Sequence, residues 1–259
     1  MNNFRRLRPY PNLSNGFSLV EMAIVLTIVA LLMAGLIPSI SGQIDQKRTA
    51  ETKTKLEEIQ QALIGFAVAN GRLPCPATAA SNGAESYTGA VGTTDCTSFN
   101  AGFVPAVTLG IASESDSLGN QGYAVDAWGN RIRYAVTNAN GSAFIRNNGM
   151  KTTGITALAP NLQVCTTASA TANDCNVAAE RLTTGVPAVI FSTGKNGAYG
   201  GTGSDEAENP NPNSADNDRA FVSHVPAPSS AANGEFDDIV IWVSDNLIIN
   251  RMVTAGQLP

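Results

Sequence analysis

One uninterrupted apolar segment near the start of the chain constrains its fold more than any other feature. Residues 22–37 carry no charged side chain, and with their flanking residues they form a span of roughly 20 residues, which is long enough to cross a lipid bilayer. Glu21 stands at the start of this span, where a charged side chain in hydrocarbon costs about 2.5 kcal/mol or more. The segment therefore predicts a membrane-spanning helix, and Glu21 needs a specific explanation.

The residues before this span are basic. Arg5, Arg6 and Arg8 have no acidic neighbour within the first 16 residues, and such an excess favours a cytoplasmic N-terminus. No small-x-small cleavage site follows the span, which argues against an ordinary secretory signal. We therefore expect an inner-membrane protein whose N-terminus is cytoplasmic and whose body, from about residue 41, lies in the periplasm.

The charge balance argues against a nucleic-acid partner. Apart from the three arginines near the N-terminus, 13 basic residues stand against 21 acidic ones, a balance of −8 over residues 17–259. Nucleic-acid binding generally needs a concentrated basic patch. The one basic cluster, at residues 47–55, is interpreted as a solvated helix face or as charge next to the membrane.

The first 70 residues predict one long helix. The pattern is apolar on all sides up to residue 40, and after Gly42 only one stripe stays apolar, at the spacing of a single helix face. This stripe consists of Leu56, Ile59, Leu63 and Phe66. We expect a leader at 1–16, a transmembrane or filament-core helix at 17–40, an amphipathic helical half at 41–70 and an exported globular domain at 71–259.

Short apolar runs in a Gly-, Ser- and Asn-rich background predict strands after residue 71. The candidates are residues 132–136, 188–192, 239–243 and 247–253, and residues 244–246 resemble a hairpin turn between the last two. The predicted fold class is α+β, with the long N-terminal helix packed on a small antiparallel sheet with long loops.

The four cysteines predict disulfides, because their number is even and the expected compartment is oxidising. Three connectivities are possible, and we expect nearest neighbours to pair, Cys75 with Cys96 and Cys165 with Cys175. A zinc site is the alternative, but the chain has no C-x-x-C spacing and a single histidine.

The stretch that begins at Gly16 resembles the processing motif of type IV pilins and type II secretion pseudopilins. Gly16 is followed by Phe17, Glu21 lies five residues into the mature chain, and Pro38 lies in the apolar helix. The resemblance implies cleavage after Gly16 by prepilin peptidase, N-methylation of Phe17, and roles for Glu21 and Pro38 in assembly. It also implies other pilin or pseudopilin subunits and an inner-membrane assembly platform as partners.

Elementary electrostatics gives Glu21 a role within this resemblance. A lone carboxylate in hydrocarbon takes up a proton or finds a cation. Cleavage after Gly16 creates such a cation, the α-amino group of Phe17, whose reference pKa is about 8. The partner is the amine of the same chain or that of the next subunit in a filament, and burial of both groups is tolerable only when they pair.

Two segments further along resemble the major pseudopilin of type II secretion. Residues 126–134 (DAWGNRIRY) are similar to its DPWGNPY-type segment, with Ala127 in place of proline. Residues 191–208 with 236–242 resemble its C-terminal calcium loop, which an insertion at 209–233 separates in this chain. Mapped residue by residue, the resemblance implies a calcium site formed by the Thr193 carbonyl, Asn196, Asp205 and Asp238, with Asp216 and Asp218 as possible substitutes.

No pattern in the chain predicts an enzyme. Ser192 lacks a G-x-S-x-G context, and the glycines at 200–203 lack the lysine of a phosphate loop. The expected function is that of a structural subunit, minor or specialised, of a type IV pilus or type II pseudopilus. The alternatives are an adhesin or substrate-recognition module at a filament tip, or a membrane-anchored periplasmic domain that does not polymerise.

Overall fold

The computed structural model of the chain describes residues 16–111, 113–115, 119, 121–168, 174–197, 203–209 and 218–258, and it leaves out the side chains of residues 34–41. The chain forms two compact units, Met1–Gln46 and Lys47–Pro259. The helices in the described part are α1 (Leu19–Asn70), α2 (Ala106–Leu109), α3 (Ala139–Ser142), α4 (Gly149–Thr153), α5 (Ser204–Glu208) and α6 (Asp245–Thr254), and a 3-10 turn covers Ala178–Glu180. The prediction of one long N-terminal helix is confirmed.

Two small sheets belong to the second unit. The first has four antiparallel strands in the order β1, β2, β5, β7, and the second has three in the order β4, β3, β6, with β3 and β6 parallel. The strands are β1 (Gly102–Phe103), β2 (Arg133–Val136), β3 (Leu162–Cys165), β4 (Arg181–Val186), β5 (Ala188–Ser192), β6 (Ala220–Val222) and β7 (Ile239–Val243). The α+β class with a helix packed on an antiparallel sheet is therefore confirmed, and the second sheet extends it.

One face of the first sheet packs against α1. Leu56, Ile59 and Leu63 of the helix are at most 1% exposed and share an apolar cluster with Ala188 and Ile190 of β5. These helix residues recur at steps of three and four, so one face of α1 is buried while its polar face meets solvent. The predicted stripe is confirmed for these three residues. Its fourth member, Phe66, is half-buried under the guanidinium of Arg72, 5.1 Å from the ring centre.

The opposite face of the first sheet packs against the second sheet. Val189 and Phe191 of β5 lie in a separate apolar cluster with Leu162, Val164 and Phe221 of the second sheet. Successive side chains of a strand point to opposite faces of its sheet, so β5 contributes residues to the cluster under α1 and to the cluster between the sheets. All five of its residues are buried. The second unit is thus a three-layer body of helix, sheet and sheet.

The predicted strand at residues 247–253 is wrong, because this segment belongs to helix α6. Ser244 lies before the helix with extended backbone angles, and Asp245 places a carboxylate in the first turn. Ile248 and Met252, four residues apart, are the buried residues of the helix and join the cluster under α1. The other three predicted strands coincide with β2, β5 and β7, except that β2 begins one residue later.

The predicted disulfide pairing is confirmed. Cys75 bonds to Cys96 and Cys165 to Cys175, with Cα–Cα distances of 5.4 and 5.6 Å. The bridges join cysteines that are 21 and 10 residues apart in the sequence, and closure of loops of this size is worth about 3 kcal/mol in the chain-entropy account.

Candidate functional site

The motif at the N-terminus lies just before helix α1. Gly16, Phe17 and Ser18 are exposed and non-helical, and the helix begins at Leu19. The phenyl ring of Phe17 is 84% exposed. The bond between Gly16 and Phe17 is therefore accessible, whereas residues 1–15 of the predicted leader at 1–16 lie outside the described residues.

Ser18 and Glu21 cap the first turn of the helix. The Ser18 backbone N–H donates to Glu21 Oε2 at 2.8 Å, and the Glu21 N–H donates to Ser18 Oγ at 3.1 Å. This reciprocal pair is a capping box, which satisfies two backbone donors that a helix leaves free at its start. The carboxylate of Glu21 thus accepts a hydrogen bond from the backbone N–H of Ser18, the residue that follows Phe17. The S-x-x-E spacing is the sequence signal for this capping box, which our reading of the sequence missed.

The first turns of α1 present an apolar surface without cover from their own unit. Every large apolar side chain of α1 up to residue 33 is at least 41% exposed. These side chains are Leu19, Val20, Met22, Ile24, Val25, Leu26, Ile28, Val29, Leu31, Leu32 and Met33.

Among the residues that the structure describes, no helix is both long enough and apolar enough to cross a bilayer.

Part of the predicted span at 17–40 lies outside the described side chains. Pro38 is among these residues, so its predicted role stays a prediction.

An acidic cluster lies in the second unit where three segments meet. Glu206 comes from α5, and Asp237 and Asp238 directly precede β7. Each offers a carboxylate oxygen, and these oxygens lie within 4.8 Å of one another. Two oxygens bound to one calcium ion at 2.3–2.6 Å lie at most about 5.2 Å apart, so the spacing fits a shared cation.

The loop after β5 organises this cluster. The backbone N–H groups of Lys195 and Asn196 donate to Asp237 Oδ2 at 2.9 and 3.3 Å, and Asn196 Nδ2 donates to both oxygens of Glu206 at 3.0 Å. Gly194 has a φ of +63°, and a Cβ there would stand 2.2 Å from Asp237 Oδ1. Only glycine therefore allows the loop to approach the carboxylate so closely.

Two oxygens at the cluster are buried without a hydrogen-bond partner among the described residues. They are Asp237 Oδ1 and Asn196 Oδ1. A buried acceptor without a donor costs free energy, and both atoms are of the kind that calcium prefers. The residues present therefore fit a hard cation.

The charges of the cluster disfavour one another. Burial, followed by the contact with Glu206, raises the pKa of Asp237 to about 6. Burial also raises the pKa of Asp238 to about 8, against the opposing hydrogen bond from Asn209. A divalent cation would relieve this repulsion by favouring the ionised form of each carboxyl group.

The structure brings together some of the calcium ligands predicted from sequence. Asp238 belongs to the cluster, Asn196 contacts it through Glu206, and Thr193 is buried in the same loop. Glu206 and Asp237, which the sequence analysis missed, are direct neighbours in the chain of the predicted Asp205 and Asp238. The signal was present as paired acids, Asp-Glu at 205–206 and Asp-Asp at 237–238.

Asp205 is placed away from the cluster, because other donors occupy its carboxylate. Thr167 Oγ1 and the Ala168 N–H donate to Oδ1 at 2.9 and 2.7 Å. Asn233 Nδ2 donates to Oδ2 at 2.9 Å, and His224 Nε2 lies 3.2 Å from the same atom. Of the two substitutes, Asp216 lies outside the described residues.

The other substitute, Asp218, accepts a hydrogen bond from its neighbour Ala220 N–H at 2.9 Å.

The segment at 126–134 connects the cluster loop to α1. Asp126 accepts from the Trp128 and Asn130 N–H groups at 2.9 Å each, and from Ser192 Oγ at 2.6 Å. Asn130 Nδ2 donates to the Gly194 carbonyl at 2.7 Å. On the other side, the Ala127 N–H donates to Thr52 Oγ1 of α1 at 3.2 Å. Alanine in place of proline thus supplies a hydrogen bond that proline could not make.

Comparison with known proteins finds a match in the N-terminal segment. The family described as "Prokaryotic N-terminal methylation motif" matches residues 11–37. No curated protein and no solved structure shows significant similarity to the chain. Residues 11–37 thus carry the prokaryotic N-terminal methylation motif, the prepilin cleavage and methylation signal that is typical of type IV pilins and pseudopilins.

Proposed function

We propose that the chain is a minor or specialised subunit of a type IV pilus or of a type II secretion pseudopilus. Prepilin peptidase cleaves it between Gly16 and Phe17 and methylates the new amino group. Before assembly the subunit is anchored in the inner membrane with its body in the periplasm. The assembly platform then adds it to a filament, in which helix α1 packs against the same helix of neighbouring subunits.

The observation that carries this proposal is the apolar start of α1 directly behind the methylation motif. Its side chains are exposed within their own unit from Leu19 to Met33. A contiguous apolar surface of this kind marks a membrane or protein interaction site. Lipid covers it before assembly, and the same segment of neighbouring subunits covers it afterwards.

Glu21 supplies the specificity of this assembly. In the uncleaved chain its carboxylate is occupied by Ser18. After cleavage the Phe17 amine provides a cation, from the same chain or from a neighbour. Since an unpaired buried charge costs several kcal/mol, wrong registers between subunits are penalised.

The test is incorporation into filaments. The chain is expressed in a host with a type IV filament system, and sheared filaments are probed for it together with Glu21→Val and the matched control Glu58→Gln, an exposed acid on the same helix. We expect the wild type and the control in the filament fraction, and Glu21→Val processed but depleted there. Normal incorporation of Glu21→Val would remove the pairing role, and processed wild type that never enters filaments would favour the non-polymerising anchor.

We also propose a calcium site in the body, with Glu206, Asp237, Asp238 and Asn196 as side-chain ligands and the Thr193 carbonyl as a further one. The three carboxylates, the Asn196 side chain and the Thr193 carbonyl together supply five of the six to eight oxygens that calcium takes. The two buried oxygens without donors support this set. Bound calcium would fix α5 and the loop after β5 to the start of β7.

The calcium proposal is tested by thermal unfolding of the full-length chain in calcium and in chelator. We expect calcium to raise the melting temperature of the wild type and of Asp205→Asn, but not of Asp238→Asn. Ligand at 100 times its Kd stabilises a folded protein by about 2.7 kcal/mol, which is readily measured. Equal melting temperatures of the wild type in calcium and in chelator would exclude the site. If calcium no longer raised the melting temperature of Asp205→Asn, Asp205 would be a ligand, as the sequence predicted.

A further inference from the structure

A cavity of about 350 Å³ opens at the edge of the body where the two sheets meet. Residues of β4, the end of β7, the start of α6 and the segment at 158–160 line it. Ligand sites typically occupy about 300–1,000 Å³, so the cavity suits a small ligand. It lies wholly within the second unit and contains none of the acidic cluster.

One wall of the cavity is aromatic and apolar. Trp242 lies on β7, the outer strand of the first sheet, and packs its partly exposed side chain against the core between the sheets. Pro160 and Val186 also line the cavity. Gln60 Nε2 donates to the Trp242 carbonyl at 2.7 Å and so helps to hold this position in place. A partly exposed indole can offer a flat apolar surface to a ligand.

The other wall is polar and contains an unsatisfied acceptor. Asp245 Oδ1 is buried without a hydrogen-bond partner among the described residues. Ser244, Asn246, Thr183 and Thr184 bring hydroxyl and amide groups to the same lining. Asp245 itself also lines the cavity, so its carboxyl group adds an acceptor to this polar wall.

The strand that closes the cavity is distorted at this point. Gly185 has no partner in the pairing of β3 with β4, since Leu162 pairs with Val186 and Gln163 with Thr184. Its φ of +68° lies in the region that favours glycine. Bulges of this kind are frequent beside binding sites, where they redirect neighbouring side chains.

We propose that this cavity binds a neutral saccharide. The apolar face of a sugar ring stacks on Trp242, and its hydroxyl groups donate to Asp245 and exchange hydrogen bonds with the hydroxyl and amide groups of the opposite wall. A polyhydroxylated ring is the ligand class that combines a flat apolar face with several donors at its rim. The proposal goes beyond filament assembly and does not depend on it.

The test uses the full-length chain in a zwitterionic detergent that carries no sugar. Saturation-transfer NMR is recorded with glucose, galactose, N-acetylglucosamine and their β-linked disaccharides. Choline and lysine are measured separately, because an aromatic side chain beside a carboxylate could bind a cationic group in place of a sugar. We expect saturable transfer to at least one saccharide and none to the cations. Absence of transfer to every saccharide, or transfer to the cations alone, overturns the proposal.

Two variants locate the binding. Trp242→Leu keeps an apolar side chain but removes the aromatic face, and Asp245→Ser removes the buried acceptor. Each is expected to weaken saccharide binding roughly tenfold, in line with the loss of one charge-assisted hydrogen bond or its equivalent. Trp128→Phe, at the other tryptophan, is the control and should bind as the wild type does. Should Trp242→Leu fail to fold, Asp245→Ser decides alone, and wild-type affinity in that variant overturns the proposed site.

Discussion

Ser18 and Glu21 hydrogen-bond each other across the first turn of helix α1, each donating its backbone N–H to the side-chain oxygen of the other. The Glu21 carboxylate, although it lies at the start of an apolar segment, therefore has a hydrogen-bond partner before cleavage takes place. It closes the helix start beside the bond that the methylation motif marks for cleavage. The proposed cleavage after Gly16 would supply a second partner, the amine of Phe17, at almost the same place.

Removal of the Ser18 hydroxyl should loosen the start of the helix. Ser18→Ala deletes the cap on the Glu21 N–H, and loss of an N-cap of this kind costs about 0.5–2 kcal/mol. We expect faster amide hydrogen exchange at Glu21 and Met22 of the micelle-bound chain. The control is Thr27→Ala, which removes a hydroxyl that donates to the Ala23 carbonyl at 2.8 Å within the same helix. Unchanged exchange in Ser18→Ala would show that the capping box is not formed.

The body is held together by a buried ion pair that can be compared with an exposed one. Arg72 donates to both oxygens of Glu85 at 2.8 Å, with 7% and 10% of the two side chains exposed. Arg146 pairs with Asp95 at 2.9 Å with 42% and 52% exposed. Glu85→Ala leaves a buried charge alone and should cost about 3–5 kcal/mol.

Asp95→Ala should cost less than about 1 kcal/mol, because solvent screens an exposed pair. Urea unfolding of both variants beside the wild type measures the difference. Equal destabilisation by the two substitutions would contradict the burial seen for Arg72.

The acidic cluster predicts that, in the presence of a chelator, the free energy of unfolding depends on pH in an unusual direction. Because the pKa of Asp238 is raised to about 8 and that of Asp237 to about 6, the folded state binds more protons than the unfolded state between about pH 4 and pH 8. Its free energy of unfolding should therefore fall as the pH rises through this window. Asp238→Asn removes one of the two groups and should flatten the slope. A wild-type stability that rises over the same window would be the contrary result.

Much of the fold was predictable because its strongest signals are local. The stripe of Leu56, Ile59 and Leu63 recurs at helical spacing, and β5 and β7 are runs of β-branched and apolar residues. The segment at 247–253 is also apolar apart from Asn250 and Arg251, and short apolar runs are ambiguous between helix and strand. Its helical state follows from the Ser-Asp start at 244–245 and from burial of only two residues four positions apart.

The second sheet could not be predicted in the same way. β4 has a single buried residue, Val186, and is interrupted by Gly185, so it lacks a regular alternation. β6 has only three residues and pairs with β3 across more than 50 residues of chain. Its position depends on the tertiary fold.

The acidic cluster was predictable only in part for a similar reason. Resemblance to a known loop pointed to Asp238, but which member of the pair Asp205 and Glu206 faces the cluster depends on the rotation of a single helical turn. The donors around Thr167 that occupy Asp205 come from a distant part of the chain. No local pattern carries that information.

The mass of the mature N-terminus shows whether the methylation motif at residues 11–37 is used. The chain is purified from cells with and without prepilin peptidase, and its N-terminal peptide is measured by mass spectrometry. We expect a peptide that begins with N-methylated Phe17 when the peptidase is present and an uncleaved chain when it is absent. A chain that keeps Gly16 in the presence of an active peptidase, or that is cut at another bond, would contradict this expectation.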